Sequence, residues 1–203
     1  MNPATVVCLD LEGVLVPEIW IEVARASGIA ALARTTRDEP DYDKLMRERL
    51  DRLAEARLGL PDIRAIIAGM APLAGAREFL DALRAELQVV ILSDTFYEFA
   101  QPLMAQLGWP TLFCHRLEVD ESGAIRGYRL RVPDQKRRAV EALRALNFRV
   151  VAAGDSFNDT AMLAAAHAGV LYRPPEAVAK QFPGFPIARD YAELAAAIRA
   201  AAA

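Results

Sequence analysis

A small set of polar residues carries the chemistry this sequence can offer: Asp10 and Glu12, Ser93 and Asp94, Lys136, and the group Asp155, Asn158 and Asp159. Carboxylates can hold a hard divalent cation, while a hydroxyl and backbone amides bind anionic oxygens and a lysine offsets the remaining charge. Phosphoryl transfer needs that combination, because it depends on positioning and charge stabilisation more than on covalent work by the protein. A ligand set made of oxygen alone, with no usable histidine or cysteine, favours magnesium over zinc. Gly13 and Gly154 stand where backbone would have to approach a ligand closely.

Taken singly, each residue also has a plainer role. A carboxylate at a strand end often caps the following helix, and Asp155 or Ser156 could do no more than that. Lys136 stands in Gln135-Lys136-Arg137-Arg138, a kind of run that usually forms a solvated face. The weight lies in convergence: separate strand ends that all supply groups for one phosphate and metal site are improbable by accident.

To bring these residues together, the chain needs an open parallel sheet, in which ligands sit beyond the carboxyl ends of the strands. Short apolar runs at 5–11, 89–93, 149–153 and 168–172 read as strands buried on both faces. Segments of helical period at 74–87, 96–107, 136–146 and 159–166 alternate with them. The fold class is therefore α/β, a doubly wound parallel sheet with helices on both sides. Residues 17–71 break the rhythm, being helical and charged and ending at Met70-Ala71-Pro72. They read as a small helical cap inserted after the first strand, leaving 1–16 and 72–203 as the core. Alternating residues over 112–132 flank Asp120-Glu121-Ser122-Gly123 and predict a β-hairpin, and the Ala-rich tail after Tyr191 predicts a closing helix.

Composition narrows the function classes. With 203 residues, 54% of them hydrophobic and 25% charged, the chain has the make-up of an ordinary globular protein with one sizeable core. A formal charge of -3 offers no field to gather nucleic acid or an anionic membrane surface, so small molecules are the expected partners. No apolar run reaches the roughly 20 residues a bilayer requires, and no secretory leader is recognisable, which points to the cytoplasm. Cys8 and Cys114 read as structural thiols, and a homodimer remains open.

Asp10-Leu11-Glu12-Gly13-Val14-Leu15, then Ser93, Lys136 and Gly154-Asp155-Ser156-Phe157-Asn158-Asp159, resemble in order and spacing the four motifs of the haloacid dehalogenase-type phosphatases, enzymes with a Rossmann-type core. The stretches LDLEGVLVPEIWIE, TTRDEPDYDKLMRERL, LSDTFYEFAQPLM and AAGDSFNDTAML look like the group within it that is bifunctional, hydrolysing phosphoserine and also transferring its phosphoryl group to homoserine. The resemblance implies that Asp10 is the nucleophile, forming an aspartyl phosphate, and that Glu12 is the general acid and base. It further implies Mg2+ held by Asp10, Asp155 and the backbone carbonyl of Glu12, with Asp159 orienting or touching the metal. Ser93 and the backbone at Asp94 would grip phosphate oxygens, Lys136 would offset their charge, and Asn158 would contact substrate. Glu18 and Arg49 are the candidates for the ammonium and carboxylate of an amino-acid substrate, since arginine suits a carboxylate bidentately.

Two departures from the wider pattern stand out. Most of these phosphatases carry aspartate where this chain has Glu12, and phosphoserine phosphatases usually place glycines where it has Asp94 and Thr95. Both departures agree with the bifunctional group. The alternatives are a phosphatase of another small phosphorylated metabolite and, from a different class, a phospho-receiver domain that acts as a switch without turnover.

Overall fold

The computed structural model describes residues 3–35, 38–39 and 41–203. Thr36, Arg37 and Pro40, part of the TTRDEPDYDKLMRERL stretch, lie outside the described residues.

The first apolar run forms β1 (Thr5–Leu9), whose successive side chains enter opposite layers. Val7 and Leu9 join one core cluster, and Val6 and Cys8 join the other. A strand sealed on both faces can afford no polar alternation, which explains the continuous hydrophobicity. β1 pairs in parallel with β2 (Gln88–Phe96) on one side and β5 (Arg149–Gly154) on the other. The full order is β4-β3-β2-β1-β5-β6-β7, with β3 at Thr111–Val119, β4 at Ile125–Arg129, β6 at Ala168–Tyr172 and β7 at Ile187–Ala188. The chain winds outward from β1 through β2 and β3, then returns to β5 beside β1. That reversal opens a crevice between the ends of β1 and β5, where Asp10 and Asp155 emerge.

Four apolar runs predicted four strands and the hairpin two more, and the sheet has seven among the described residues. β3 joins the two groups. Its first half pairs in parallel with β2 and its second half pairs antiparallel with β4, so the predicted hairpin exists but is also an extension of the main sheet. β7, with two residues, is too short to show a period.

Between β1 and α4 (Ala76–Glu86) come α1 (Ile19–Ser27), α2 (Tyr42–Glu55) and α3 (Leu60–Ala68), with no sheet strand among the described residues. Asp41 caps α2, its carboxylate accepting from the amides of Asp43 and Lys44 at 3.0 and 3.1 Å. These helices turn Val23, Leu53, Ile63 and Ile67 into the larger core cluster, so they share its burial. They also meet the hairpin: the Leu60 amide donates to the Gly123 carbonyl at 2.8 Å and the Tyr128 hydroxyl to Asp43 at 2.5 Å. α5 (Tyr97–Gln106) and α9 (Tyr191–Ala202) line the same face as α4, while α6 (Gln135–Ala145), α7 (Thr160–Ala165) and α8 (Glu176–Gln181) cover the other. Both cysteines are free and buried, and burial pushes the Cys8 thiol up to about 12, which suits a packing role. No helix among the described residues is long and apolar enough to cross a membrane.

Candidate active site

Asp10 leaves β1 with its backbone still tied to the sheet, its amide donating to the Ala153 carbonyl at 2.9 Å. Its Oδ1 accepts from the Leu11 amide at 2.7 Å and from Lys136 Nζ at 2.8 Å, and no donor among the described residues takes Oδ2. One oxygen is thus held and the other is open toward the cavity.

Lys136 is 3% exposed, so it is no part of a solvated face. The next residue shows why the run misleads: Arg137 turns outward to Asp134 and Glu141, while Lys136, on the inner side of α6, reaches Asp10 and Asp159 at 2.8 Å each and Asp94 at 3.8 Å. Burial alone would lower the Lys136 pKa, but these carboxylates outweigh it and hold the ammonium charged.

Asp159 is fully buried, its Oδ2 accepting from the amides of Asp155 and Ser156 at 2.9 and 3.1 Å and its Oδ1 from Lys136. The side chain of Asp159 satisfies this loop, so the Asp155 carboxylate is not used as a cap. One oxygen from each of Asp10, Asp155 and Asp159 lies within 4.8 Å of the others. Burial, followed by the charge of Asp159, pushes Asp10 well above the usual carboxylate range and Asp155 up to about 7. A crowded, oxygen-only set of carboxylates fits a hard divalent cation, which would relieve that repulsion. The Glu12 side chain is not in this group, since its Oε1 accepts from the Ile19 amide at 2.8 Å at the start of α1. Burial, then repulsion from Glu18, raises Glu12 to about 7.

The two loop glycines approach carboxylates closely, and Gly13 also borders the open space beside them. A Cβ on Gly13, which has φ +77°, would lie 2.5 Å from the Asp155 carboxyl carbon, and one on Gly154 would meet Asp159. Both positions let backbone pass directly under the acidic group.

Ser93 and Asp94 sit inside β2, not after it. Regular pairing with β3 stops at Leu92 and resumes at Phe96, so the intervening peptides peel away from the ladder. Gln135 Nε2 donates to the Ser93 carbonyl, and the Tyr42 hydroxyl donates to the Asp94 carbonyl at 3.0 Å. The Asp94 carboxylate accepts from Asn158 Nδ2 at 3.2 Å and lies 3.6 Å from His115 Nε2. His115 Nδ1 accepts from the Arg131 amide at 3.1 Å, which places the ring proton on Nε2, toward Asp94. Burial would raise Asp94, but Lys136, His115 and Asn158 together hold it well below the usual carboxylate range.

Arg49 is 6% exposed and has no carboxylate partner among the described residues. Its guanidinium stacks over Trp20 at 4.5 Å and donates to the Arg34 carbonyl at 2.6 Å, while Nε is buried without an acceptor. Burial lowers its pKa to about 10.

The site opens on one cavity of about 340 Å³. Asp10, Glu12, Glu18, Arg49, Ser93, Asp94, Lys136, Asp155 and Asn158 line it; Asp159 lies beneath. Sequence reasoning missed Tyr42, Gln135, His115 and Trp20 in and around it. Only Gln135 carried a signal, as the neighbour of Lys136 at the start of α6.

The family model for haloacid dehalogenase-like hydrolases matches residues 4–167. The chain belongs to that family. Among relatives, it is 59% identical over 189 residues to the phosphoserine phosphatase ThrH of Pseudomonas aeruginosa, covering 93% of this chain and 92% of the relative. It is 57% identical to a phosphoserine phosphatase of Pseudomonas syringae pv. tomato, covering 93% and 80%. A solved structure of a phospho-aspartyl intermediate analogue of phosphoserine phosphatase shares the fold, with a TM-score of 0.75 at 20% identity over 96% of this chain and 98% of the other. Membership in the haloacid dehalogenase-like hydrolases removes the case for a receiver domain.

Proposed function

We propose that this hydrolase dephosphorylates phosphoserine through a phosphorylated Asp10 and can pass the phosphoryl group either to water or to homoserine. The observation that carries the mechanism is Asp10 itself, with Oδ1 fixed by Lys136 and the Leu11 amide and Oδ2 open toward the cavity. The substrate assignment rests on the two relatives and on Arg49, a buried cation with no carboxylate of its own among the described residues.

In this reading residues 17–71 are the cap that reads the substrate and 1–16 with 72–203 the catalytic core. The substrate carboxylate meets Arg49 and its ammonium Glu18. Its phosphoryl oxygens lie against Ser93, the peptide at Asp94 and Lys136, and Asn158 borders them. Asp10 Oδ2 attacks phosphorus, the bond from phosphorus to the seryl oxygen breaks, and Glu12 gives that oxygen its proton. Serine leaves. Glu12 then takes the proton of a water or an alcohol whose oxygen attacks phosphorus, and the bond to Asp10 breaks. Held by Asp10, Asp155 and the Glu12 carbonyl, with Asp159 behind them, magnesium would add positive charge to the phosphoryl oxygens.

The test is incubation with phosphoserine and magnesium, with and without homoserine, measuring serine, inorganic phosphate and phosphohomoserine, with Asp10→Asn as control. Phosphohomoserine formed at the expense of free phosphate supports both activities. Phosphate release alone supports a phosphoserine phosphatase, no turnover of phosphoserine sinks the substrate assignment, and activity surviving Asp10→Asn sinks the mechanism.

A further inference from the structure

A second cavity, of about 350 Å³, adjoins the phosphoryl site. Its walls are Tyr42 of α2, His115 of β3, Leu130, Val132 and Pro133 after β4, and Gln135 of α6. It touches the first cavity along Tyr42, Asp94, Lys136 and Asn158. Neither Asp10 nor Glu12 lines it, so a molecule there would meet neither the nucleophile nor the acid–base group. The cavity therefore does not serve as the seat of the leaving or accepting alcohol.

Its chemistry is specific. Apolar side chains and two ring systems make most of the wall, and Leu130 at its rim is 38% exposed. Asp94, Asp134, Lys136 and Asn158 also border it, and among its polar side chains Gln135 stands apart: it is 2% exposed, its Nε2 is committed to the Ser93 carbonyl, and its Oε1 is buried with no hydrogen-bond donor among the described residues. A buried acceptor without a donor is unfavourable, and a ligand that brings one removes the deficit. A mostly apolar cleft with a few polar groups at its edge, at the seam between inserted helices and core, is the usual form of a small-molecule site.

We propose that this cavity is a second ligand site, for a small molecule with an apolar body and a single hydroxyl or N–H donor that meets Gln135 Oε1. Its occupant bridges α2 and α6 at the two residues, Tyr42 and Gln135, that hold the carbonyls of Asp94 and Ser93. Binding there is therefore coupled to the grip on phosphate, and by linkage phosphate tightens the occupant in turn.

Benzyl alcohol serves as the probe and toluene, which lacks the donor, as its control, with binding read from the methyl resonances of Leu130 and Val132 in the intact protein. The expected result is saturable shifts with benzyl alcohol, at least tenfold weaker binding of toluene, loss of both in Val132→Trp, and tighter benzyl alcohol binding when inorganic phosphate is present. Gln135→Met, which removes the acceptor at similar length, should bind the two probes alike, and this arm decides the matter if Val132→Trp does not fold. Equal affinity of the two probes for the unaltered protein, no saturable shift, or undiminished binding to folded Val132→Trp overturns the proposal.

Discussion

Replacing Arg49 with methionine should stabilise the protein while damaging it as an enzyme. Burial that lowers the Arg49 guanidinium to about 10 corresponds to a cost of about 3 kcal/mol for keeping the charge inside. Methionine is of similar length and uncharged, so that cost disappears. Against it stand the hydrogen bond to the Arg34 carbonyl, worth about 1 kcal/mol, and the stack on Trp20, worth about 1 kcal/mol. The balance is a gain of about 1 kcal/mol, or about 2–4 °C in Tm for a chain of this size. Function moves the other way: a substrate carboxylate that loses a charge-assisted partner gives up about 1.5–3 kcal/mol, which is roughly 10- to 100-fold in KM for phosphoserine. Phosphoethanolamine has the ammonium and phosphate but no carboxylate, so its KM should change by less than about threefold. The measurements are thermal unfolding and steady-state kinetics on both esters. If Arg49→Met were less stable than the parent by more than about 1 kcal/mol, or if both esters suffered equally, the account of Arg49 as a cation awaiting its partner would be wrong.

Three further substitutions probe the rest of the site. Gly13→Ala puts a Cβ 2.5 Å from the Asp155 carboxyl carbon at φ +77°, so magnesium-dependent turnover should fall by about a hundredfold or more and require more magnesium; a mutant with ordinary magnesium dependence would refute the contact. Asp94 is held below the usual carboxylate range, so its ionisation contributes stability that is present above the unfolded value of about 3.9 and lost as pH falls below it. Asp94→Asn should accordingly be less stable than the parent at pH 7, with the gap in urea midpoint narrowing below about pH 4; a gap constant down to pH 3 would remove the argument. Glu12→Asp shortens the acid–base group by about a bond length and should shift the partition of the phosphoryl group toward water by about tenfold, and an unchanged ratio of phosphohomoserine to phosphate would show that Glu12 does not control it.

What the sequence determined by itself was the part set by local pattern. Continuous aliphatic runs read as strands sealed on both faces, and in a parallel sheet the polar residues at 10, 93–94 and 155–159 then gather at one edge. The helical character of 17–71 and the turn at Asp120–Gly123 were legible for the same reason, since period and turn chemistry act over a few residues. Tertiary structure decided which of those polar groups face one another. Lys136 and Arg137 are adjacent in a basic run, yet one is buried against Asp10 and Asp159 and the other is paired at the surface. Tyr42 reaches the Asp94 carbonyl across 52 residues, and nothing near Tyr42 in the chain announces it. Arg49 stands in Arg47-Glu48-Arg49-Leu50-Asp51-Arg52, a run whose alternating charges are ordinary for a solvated helix face, and only packing against Trp20 and Met46 shows it buried without a counter-ion among the described residues. Strand and helix formation respond to neighbours along the chain, whereas burial, ion pairing and the pKa of a carboxyl respond to neighbours in space, which exist only after the sheet has closed around β1.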